Sequence, residues 1–259
     1  MPAPKKALGQ NFLMHQATAE RIADSAHLDK KSVVLEIGPG TGMLTRALLA
    51  RAGTVVAIET DAELIPILER AFVKEIGAKR LRIVHGDFRT FSLSSLPNGY
   101  HVVANIPYYI TGEIIRTLLT ARNKPASVTL LVQKEVAERV ARSEKESLLS
   151  LSVKAYGAPK YMFTVPRGAF RPAPNVDSAV LSIRDVHTPF ANEAAESRFF
   201  EILHAGFAHK RKRLAKNLEA VAEPEIIKDA MEVVGLDVNE RAEDVALTDW
   251  ILLSGQIGG

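Results

Sequence analysis

Short apolar runs alternate with amphipathic stretches along the first half of the chain, and this alternation constrains the fold more than any other feature. The apolar runs lie at Val33–Ile37, Thr54–Ile58, Leu81–His85, Tyr100–Ala104 and Val128–Val132. Helical periodicity occurs at residues 16–27, 43–51, 61–72, 111–122, 133–142 and 147–156. Continuously apolar strands that alternate with helices form a parallel sheet covered on both faces. The sequence therefore predicts an α/β, Rossmann-like domain.

The pattern changes near residue 186. Residues 159–183 still hold two strand-like runs around a Pro-rich loop, whereas residues 187–197 are polar. From residue 198 onward only helical patterns occur, at 199–208, 212–222, 225–234 and 247–255. We therefore predict two domains, an α/β domain over residues 1–186 and a small all-helical domain over residues 187–259.

Composition excludes several classes of protein. The 259 residues include no cysteine, which rules out disulfides and thiolate metal sites, and we expect no metal. Residues 1–10 lack the apolar segment of a secretory signal. No apolar run approaches the ~20 residues that cross a membrane. We expect a cytoplasmic protein without membrane contact, whose net charge of +3 points only weakly to nucleic acid.

A glycine-rich turn follows the first strand. Gly38, Gly40 and Gly42 stand at alternate positions after Glu36 and precede a helical pattern that starts at Met43. Glycines let the backbone turn sharply and approach a ligand. A dinucleotide site would need glycine in place of Met43, so NAD fits poorly. The spacing instead resembles the first motif of class I S-adenosylmethionine methyltransferases, although a structural turn or another nucleotide site is an alternative.

Acidic residues close the next two strands. Glu59 ends the second strand, at the position where a carboxylate binds ribose hydroxyls in related sheets. Asp87 follows the third strand, where it could accept a hydrogen bond from an adenine amine while Phe88 lies near the ring. Either carboxylate alone could be an ordinary strand-end residue. Because the carboxyl ends of parallel strands meet at one edge, the set predicts a site for an adenosine-containing methyl donor.

The fourth strand leads into Asn105-Ile106-Pro107-Tyr108-Tyr109. The amino group of adenine is a poor nucleophile because its lone pair is delocalised into the ring. The side-chain oxygen of Asn105 and the carbonyl near Pro107 could accept hydrogen bonds from its two N–H groups and stabilise the positive charge that develops. Tyr108 would stack on the base, which must first be flipped out of its helix. The alternative is a simple Asn-Pro turn.

A second aromatic residue precedes a rigid loop. Phe170 opens the sequence Phe170-x-Pro172-x-Pro174 and could supply the opposite stacking face for the base. The alternative is a core phenylalanine before a Pro-rich loop.

Five motifs in this order resemble those of the rRNA adenine N6,N6-dimethyltransferase family, most closely its KsgA type. They are Leu8-Gly9-Gln10-Asn11-Phe12-Leu13, Glu36-Ile37-Gly38-Pro39-Gly40, Asn105-Ile106-Pro107-Tyr108, Gln133-Lys134-Glu135-Val136 and Phe170-x-Pro172-x-Pro174-x-Val176-Asp177-Ser178. The match covers nearly the whole chain. Tyr109 is a departure, because typical bacterial members carry Asn there, and this bears on lineage rather than on activity.

The resemblance implies a class I S-adenosylmethionine methyltransferase. Its implied substrate is a pair of adjacent adenosines in the 3′-terminal hairpin of 16S rRNA, each methylated twice during small-subunit assembly. The residues expected to contact the donor are Gln10, Asn11, Leu13, Gly38, Gly40, Glu59, Asp87, Phe88 and Asn105. The expected catalytic residues are Asn105, Pro107, Tyr108 and Phe170. A monomer bound to the small subunit or its assembly intermediate is expected.

The densest positive segment lies in the predicted helical domain. It contains Lys210, Arg211, Lys212, Arg213 and Lys216. Such side chains neutralise phosphates and set the register of an RNA without reading its sequence. A solvated helix face is the ordinary alternative, but an RNA substrate favours binding. The N-terminal Lys5 and Lys6 are further candidates for RNA contact.

Two other functions share these motifs. A macrolide-resistance methyltransferase acting on large-subunit rRNA also has the Asn-Ile-Pro-Tyr and Phe-x-Pro-x-Pro patterns. The N-terminal arm and the segment Arg241-Ala242-Glu243-Asp244 favour the small-subunit type. A non-catalytic assembly or transcription factor on the same fold is disfavoured by the intact pair of Asn105 and Tyr108.

Overall fold

The chain divides into two compact units. The computed structural model describes residues 4, 5 and 8–257. One unit comprises Met1–Glu138 and Gly157–His187, and the other comprises Arg139–Tyr156 and Thr188–Gly259. Within the described residues, no helix has the length and apolar character that a membrane crossing requires.

Strands and helices alternate over most of the chain as far as α6, although α3 is followed by α4 and β4 by β5. In chain order the elements are β1 (Phe12–Leu13), α1 (Gln16–Ser25), β2 (Val33–Ile37), α2 (Met43–Arg51), β3 (Thr54–Glu59), α3 (Ile65–Ala71), α4 (Val73–Gly77), β4 (Leu81–His85), β5 (His101–Asn105), α5 (Thr111–Thr120), β6 (Ser127–Gln133), α6 (Lys134–Ala141), α7 (Leu148–Lys154), β7 (Ala158–Val165), β8 (Phe170–Arg171), β9 (Ser178–Arg184), α8 (Glu193–Gly206), α9 (Leu214–Leu218), α10 (Pro224–Val234) and α11 (Leu247–Gln256).

The first unit is built on a seven-stranded sheet in the order β4-β3-β2-β5-β6-β9-β7. The pairs from β4 to β6 are parallel, and β9 and β7 add antiparallel strands at one side. The chain winds outward in one direction from β2 to β4 and in the other from β5 to β6. The boundary between β2 and β5 is therefore the topological switch point, where open α/β sheets bind ligands.

Helices α1 and α2 cover one face of this sheet. Ile22 of α1, Leu48 of α2 and Val55 of β3 are fully buried in one hydrophobic cluster. The central strands are buried along their length, as expected for parallel strands packed on both faces. This core holds the carboxyl ends of β2, β3, β4 and β5 in fixed positions, which is what a binding site at that edge requires.

The second unit is helical. The indole of Trp250 in α11 stacks on Phe207 with ring centroids 5.6 Å apart. The buried side-chain amide of Asn217 in α9 donates to the carbonyl oxygens of Gly206 (2.6 Å) and His209 (3.2 Å). These bonds tie α9 to the end of α8 and fix the turn between them.

The predicted fold class is confirmed, and several element boundaries differ from prediction. Residues 139–156, expected in the α/β domain, belong to the helical unit because α7 packs against α8. The helix expected at residues 212–222 is shorter, since Arg213 is extended and α9 begins at Leu214. The helix expected from Asp61 begins at Ile65, and the Asp61 carboxylate accepts hydrogen bonds from the N-terminal arm as well as from the backbone N–H of Glu63.

Candidate active site

A cavity opens at the carboxyl ends of the parallel strands, at the switch point between β2 and β5. It is lined by the glycine turn after β2, by the ends of β3, β4 and β5, and by the arm that contains residues 8–13. The residues predicted to contact the donor all line this cavity: Gln10, Asn11, Leu13, Gly38, Gly40, Glu59, Asp87, Phe88 and Asn105. Pro107 and Tyr108 line it as well. The motifs around Asn11, Gly38 and Asn105 therefore converge on one site.

The glycine turn is held by Glu59. Gly38, Gly40 and Gly42 all have positive φ, at 70°, 59° and 84°, a conformation that other residues rarely adopt. The buried Glu59 carboxylate accepts hydrogen bonds from the backbone N–H of Gly40 (3.0 Å) and of Asp61 (2.9 Å). Burial raises the pKa of Glu59, while these two N–H groups lower it. Each carboxylate oxygen keeps a lone pair that a ribose hydroxyl could use.

A second carboxyl group lies beneath the turn. Glu36 in β2 is fully buried, and neither of its carboxyl oxygens has a hydrogen-bond partner among the described residues. Burial is the main cause that raises the pKa of Glu36 to about 8; the hydroxyl of Thr45 opposes the shift, and the charge of Glu59 adds to it. Glu36 is therefore protonated and uncharged near neutral pH, and it does not line the cavity.

Asp87 is paired with an arginine that the sequence analysis did not identify. The guanidinium of Arg89 donates to both oxygens of the Asp87 carboxylate, with Nε at 3.1 and 3.0 Å. This pairing lowers the pKa of Asp87, so the carboxylate stays ionised. Arg89 also lines the cavity. An adenine amine bonded to Asp87 would share the carboxylate with Arg89 or displace it.

The N-terminal arm is fastened over the cavity at several points. Asp61, only 4% exposed, accepts hydrogen bonds from Lys5 Nζ (2.7 Å) and from the side-chain amide of Gln10 (3.0 Å). Burial raises the pKa of Asp61, but these bonds outweigh burial and leave that pKa lowered. Strand β1 of the arm pairs with β8. Lys5, a candidate for RNA contact, is thus committed to an ion pair, and Lys6 lies outside the described residues.

Asn105 connects the acceptor loop to the arm. Its side-chain Nδ2 donates to the carbonyl oxygen of Asn11 at 3.0 Å. This bond fixes the orientation of the amide, so that the side-chain oxygen is left as an acceptor. The carbonyl oxygen of Pro107 accepts from the N–H of Ile110 at 3.3 Å and retains a second lone pair. Both acceptors predicted for the amino group therefore lie on one loop at the cavity.

Two tyrosines follow, in different environments. The hydroxyl of Tyr108 forms a 2.5 Å hydrogen bond with the hydroxyl of Ser178. Burial raises the pKa of Tyr108, while the bond to Ser178 lowers it. Tyr109 is 70% exposed, and a Cβ placed on Gly9 would lie only 3.0 Å from its ring. Tyr109 thus covers the arm at Gly9 and presents its other face to solvent.

Phe170 is placed differently from its predicted role. It is 4% exposed, belongs to the hydrophobic core, and pairs with Leu13 through β8 and β1. Its ring does not line the cavity. The structure thus agrees with the alternative, a core phenylalanine before a rigid loop. The ring is buried in the core where β8 pairs with β1 of the arm.

The basic segment of the helical unit forms a turn and the start of α9. Lys210, Arg211, Lys212 and Arg213 are all exposed, and none forms an ion pair within the described part of the chain. Lys216 on α9 is paired with Glu219 at 2.5 Å. Four uncompensated cations in consecutive positions create a local positive potential suited to phosphates.

The sequence assigns no role in the site to three residues that hold it together: Asp61, Arg89 and Ser178. Their partners lie 56, 2 and 70 positions away in the chain, at Lys5, Asp87 and Tyr108. Only the pair of Asp87 and Arg89 is local enough for spacing to have suggested it. Residues 4, 5 and 8–257 contain no group of three or more His, Asp or Glu side chains arranged to hold a metal ion.

Comparison with known proteins identifies relatives over nearly the whole chain. The ribosomal RNA adenine dimethylase family matches residues 2–257. A ribosomal RNA small subunit methyltransferase A from Dehalococcoides mccartyi is 38% identical over 262 residues, covering 98% of this chain and 89% of that protein. A protein of the same name from Listeria welshimeri is 36% identical, covering 96% of this chain and 89% of that protein.

Solved structures give the same fold. The 23S rRNA methyltransferase ErmE superposes with a TM-score of 0.76 at 28% identity, covering 96% of this chain and all of that one. A dimethyladenosine transferase from Plasmodium falciparum gives a TM-score of 0.81 at 24% identity, covering 93% of this chain and 95% of that one. The predicted resemblance is confirmed: this chain belongs to the ribosomal RNA adenine dimethylase family, whose members methylate rRNA adenines with S-adenosylmethionine.

Proposed function

We propose that this enzyme methylates N6 of two adjacent adenosines in the 3′-terminal hairpin of 16S rRNA, giving N6,N6-dimethyladenosine during small-subunit assembly. The observation that carries the proposal is the convergence of a donor cavity and an Asn-Ile-Pro-Tyr loop at one sheet edge. The small-subunit assignment rests on relatives of that name at 36–38% identity. The enzyme acts as a monomer in the cytoplasm, where it meets the assembling subunit.

The residues present fit S-adenosylmethionine. Glu59 and Asp87 offer acceptors at neighbouring strand ends for ribose hydroxyls and an adenine amine, and Phe88 offers an aromatic face. The glycine turn lets the protein backbone lie close to a ligand. Around Gly38 there is open space, since a Cβ placed there would meet nothing nearer than 3.8 Å. Glu59, whose carboxyl group lines the cavity, suits a donor with positive charge. When bound, the donor supplies a methyl group on a positively charged sulfur.

The acceptor loop activates the amino group by holding its hydrogens. The Asn105 side-chain oxygen and the Pro107 carbonyl oxygen accept hydrogen bonds from the two N–H groups of the adenine amine. This draws the nitrogen toward a tetrahedral geometry and frees its lone pair. Both acceptors also stabilise the positive charge that develops on nitrogen during transfer. No strong general base is needed, because the product ammonium loses a proton to solvent. Tyr108 stacks on the base and contributes about 1–3 kcal/mol to holding it.

The helical unit contributes RNA binding through its basic segment. Exposed Lys210, Arg211, Lys212 and Arg213, with Lys216 beside them, neutralise backbone phosphates and fix the register of the hairpin. Such contacts carry no sequence information, so the choice of the two adenosines comes from the acceptor loop and from the shape of the assembling subunit.

A methyl-transfer assay with three substrates tests the proposal. Purified enzyme and labelled S-adenosylmethionine are incubated with undermethylated small subunits, with naked 23S rRNA, and with no RNA. We expect label only in the 3′-terminal hairpin of 16S rRNA, mapped by primer extension, and none with Asn105→Ala. Label in 23S rRNA would support the large-subunit activity named for ErmE, and absence of label from every substrate would support a non-catalytic assembly factor.

A further inference from the structure

We propose that Ser178 is a positioning residue that fixes the direction of the Tyr108 side chain, so that the ring is in place before the adenine arrives. The proposal rests on the function proposed above, in which Tyr108 stacks on the target base. Asp177 takes part by fixing the backbone from which Ser178 acts. Neither residue lines the cavity, so both act through Tyr108 rather than on the substrate.

The Tyr108 hydroxyl needs an explanation that stacking does not give. A ring stacks on a base through its π-face, and a phenylalanine would supply the same face. The hydroxyl instead forms a 2.5 Å hydrogen bond with Ser178 Oγ, 70 residues later in the chain. With the Cα held by the loop and the hydroxyl held by Ser178, the first side-chain torsion (χ1) of the tyrosine is fixed, and this torsion sets where the ring lies at the cavity. A preorganised ring avoids the entropy of ordering it at the moment of binding.

Ser178 is a rigid anchor. It is fully buried and opens β9 inside the sheet, where it pairs with Gln133 of β6 on one side and Val165 of β7 on the other. Tyr108, by contrast, begins a short turn over residues 108–110 after β5, and no side chain caps that turn. The hydroxyl bond therefore transfers the rigidity of the sheet interior to a loop residue at the cavity.

Asp177 fixes the entry to β9. Its carboxylate oxygen accepts from the backbone N–H of Arg167 at 2.9 Å, and its own carbonyl oxygen accepts from the N–H of Lys134 at 3.0 Å. The turn before β8 and the start of α6 are thus joined at the residue that precedes Ser178. Asp177 and Ser178, which end the Pro-rich motif, thus have a physical role: Asp177 holds the backbone, and Ser178 holds the Tyr108 hydroxyl.

Matched variants of the full-length enzyme test the inference. Ser178→Ala and Tyr108→Phe each remove one hydroxyl of the pair, and the double variant removes both. Ser182→Ala is the control, because Ser182 lies four residues along β9 on the same face and is 1% exposed. Transfer kinetics on small subunits give kcat/KM for RNA, and calorimetry gives the affinity for S-adenosylmethionine.

We expect Ser178→Ala and Tyr108→Phe to lower kcat/KM for RNA about tenfold, within the range that base stacking supports. The double variant should be no worse than either single one, since both break the same contact. Donor affinity should change less than about twofold, and Ser182→Ala should behave as wild type. Additive losses in the double variant, or an equal loss in Ser182→Ala, would overturn the positioning role.

A measurement without RNA separates this inference from the proposed function. In protein carrying ¹³C-labelled tyrosine, the Tyr108 resonance is assigned by its disappearance in Tyr108→Phe. It should shift and broaden in Ser178→Ala but not in Ser182→Ala. If wild type transfers no label to small subunits, the proposed function fails while this spectrum still decides whether Ser178 fixes the ring. An unchanged Tyr108 resonance in Ser178→Ala contradicts the inference, and Tyr108→Phe remains informative if Ser178→Ala does not fold.

Discussion

The side-chain amide of Asn105 donates a hydrogen bond to the carbonyl oxygen of Asn11, 94 residues earlier in the chain, at 3.0 Å. One residue thereby joins the acceptor loop after β5 to the arm that covers the donor cavity. The bond uses the nitrogen of the amide and leaves its oxygen for the substrate. A glutamine or aspartate could not satisfy both requirements at this position, since one is longer and the other lacks a donor.

Asn105→Asp separates the two roles of this amide. The carboxylate keeps an acceptor for the adenine amine but loses the donor, and it then faces the Asn11 carbonyl as an anion. We expect kcat/KM for RNA to fall at least about 100-fold, as for the loss of a group that stabilises charge in a transition state. Far-ultraviolet circular dichroism checks that the fold is kept. Activity near wild type would mean that the bond to Asn11 has no part in catalysis.

Arg89 competes with the donor for Asp87. The guanidinium is exposed and occupies both oxygens of the carboxylate. We expect Arg89→Ala to bind S-adenosylmethionine about two- to fivefold more tightly, a small gain because exposed ion pairs are weak. Calorimetric titration measures the affinity, with Arg82→Ala on β4 as a control that leaves Asp87 untouched. Weaker binding in Arg89→Ala would indicate that Arg89 itself contacts the donor.

Glu59 holds the glycine turn as well as a ligand. Removal of its carboxylate leaves the N–H groups of Gly40 and Asp61 without their acceptor. We expect Glu59→Ala to lower donor affinity about 10- to 100-fold, the cost of losing hydrogen bonds to a charged group. Glu59→Gln keeps one acceptor, so its donor affinity should lie between that of Glu59→Ala and that of wild type. Unchanged donor affinity in Glu59→Ala would refute both roles.

The sequence predicted what depends on strand ends and missed what depends on long-range contacts. Gly38, Glu59, Asp87 and Asn105 each close a strand, and the parallel sheet brings those ends together whatever the details of packing. Asp61 opens a stretch of helical periodicity, but its carboxylate binds a lysine and a glutamine from the arm, and local spacing does not predict those contacts. Whether a phenylalanine such as Phe170 stacks or packs depends on what covers it, which periodicity does not encode.

The exposed cations of the basic segment predict how RNA affinity depends on salt concentration. Arg211 is exposed, and reversing its charge adds repulsion to every nearby phosphate. We expect Arg211→Glu to weaken RNA binding and to reduce the slope of log affinity against log salt by about one or more. Lys228→Glu is the matched control, an equal change of charge at an exposed site on α10. Equal effects of the two variants would mean that net charge, rather than this segment, governs association.

Glu36 predicts how stability depends on pH. Its pKa in the folded state is about 8, against an ordinary value of 4.5, so between these pH values the folded protein retains a proton that the unfolded chain releases. Ionisation of the unfolded chain then lowers the free energy of unfolding as pH rises, by about 1 kcal/mol for each pH unit. Below pH 4.5 both states are protonated, and above pH 8 both are ionised, so the effect is confined to that window.

Glu36→Gln isolates this contribution. The amide resembles the protonated acid but does not titrate, so the variant should lack the decline and should be more stable than wild type at pH 8. Urea unfolding of both proteins at several pH values from 5 to 8.5, without donor, measures the difference. Glu59, whose pKa burial also raises, is present in both proteins and cancels to first order. Parallel curves for the two proteins would show that Glu36 is already ionised in the folded state.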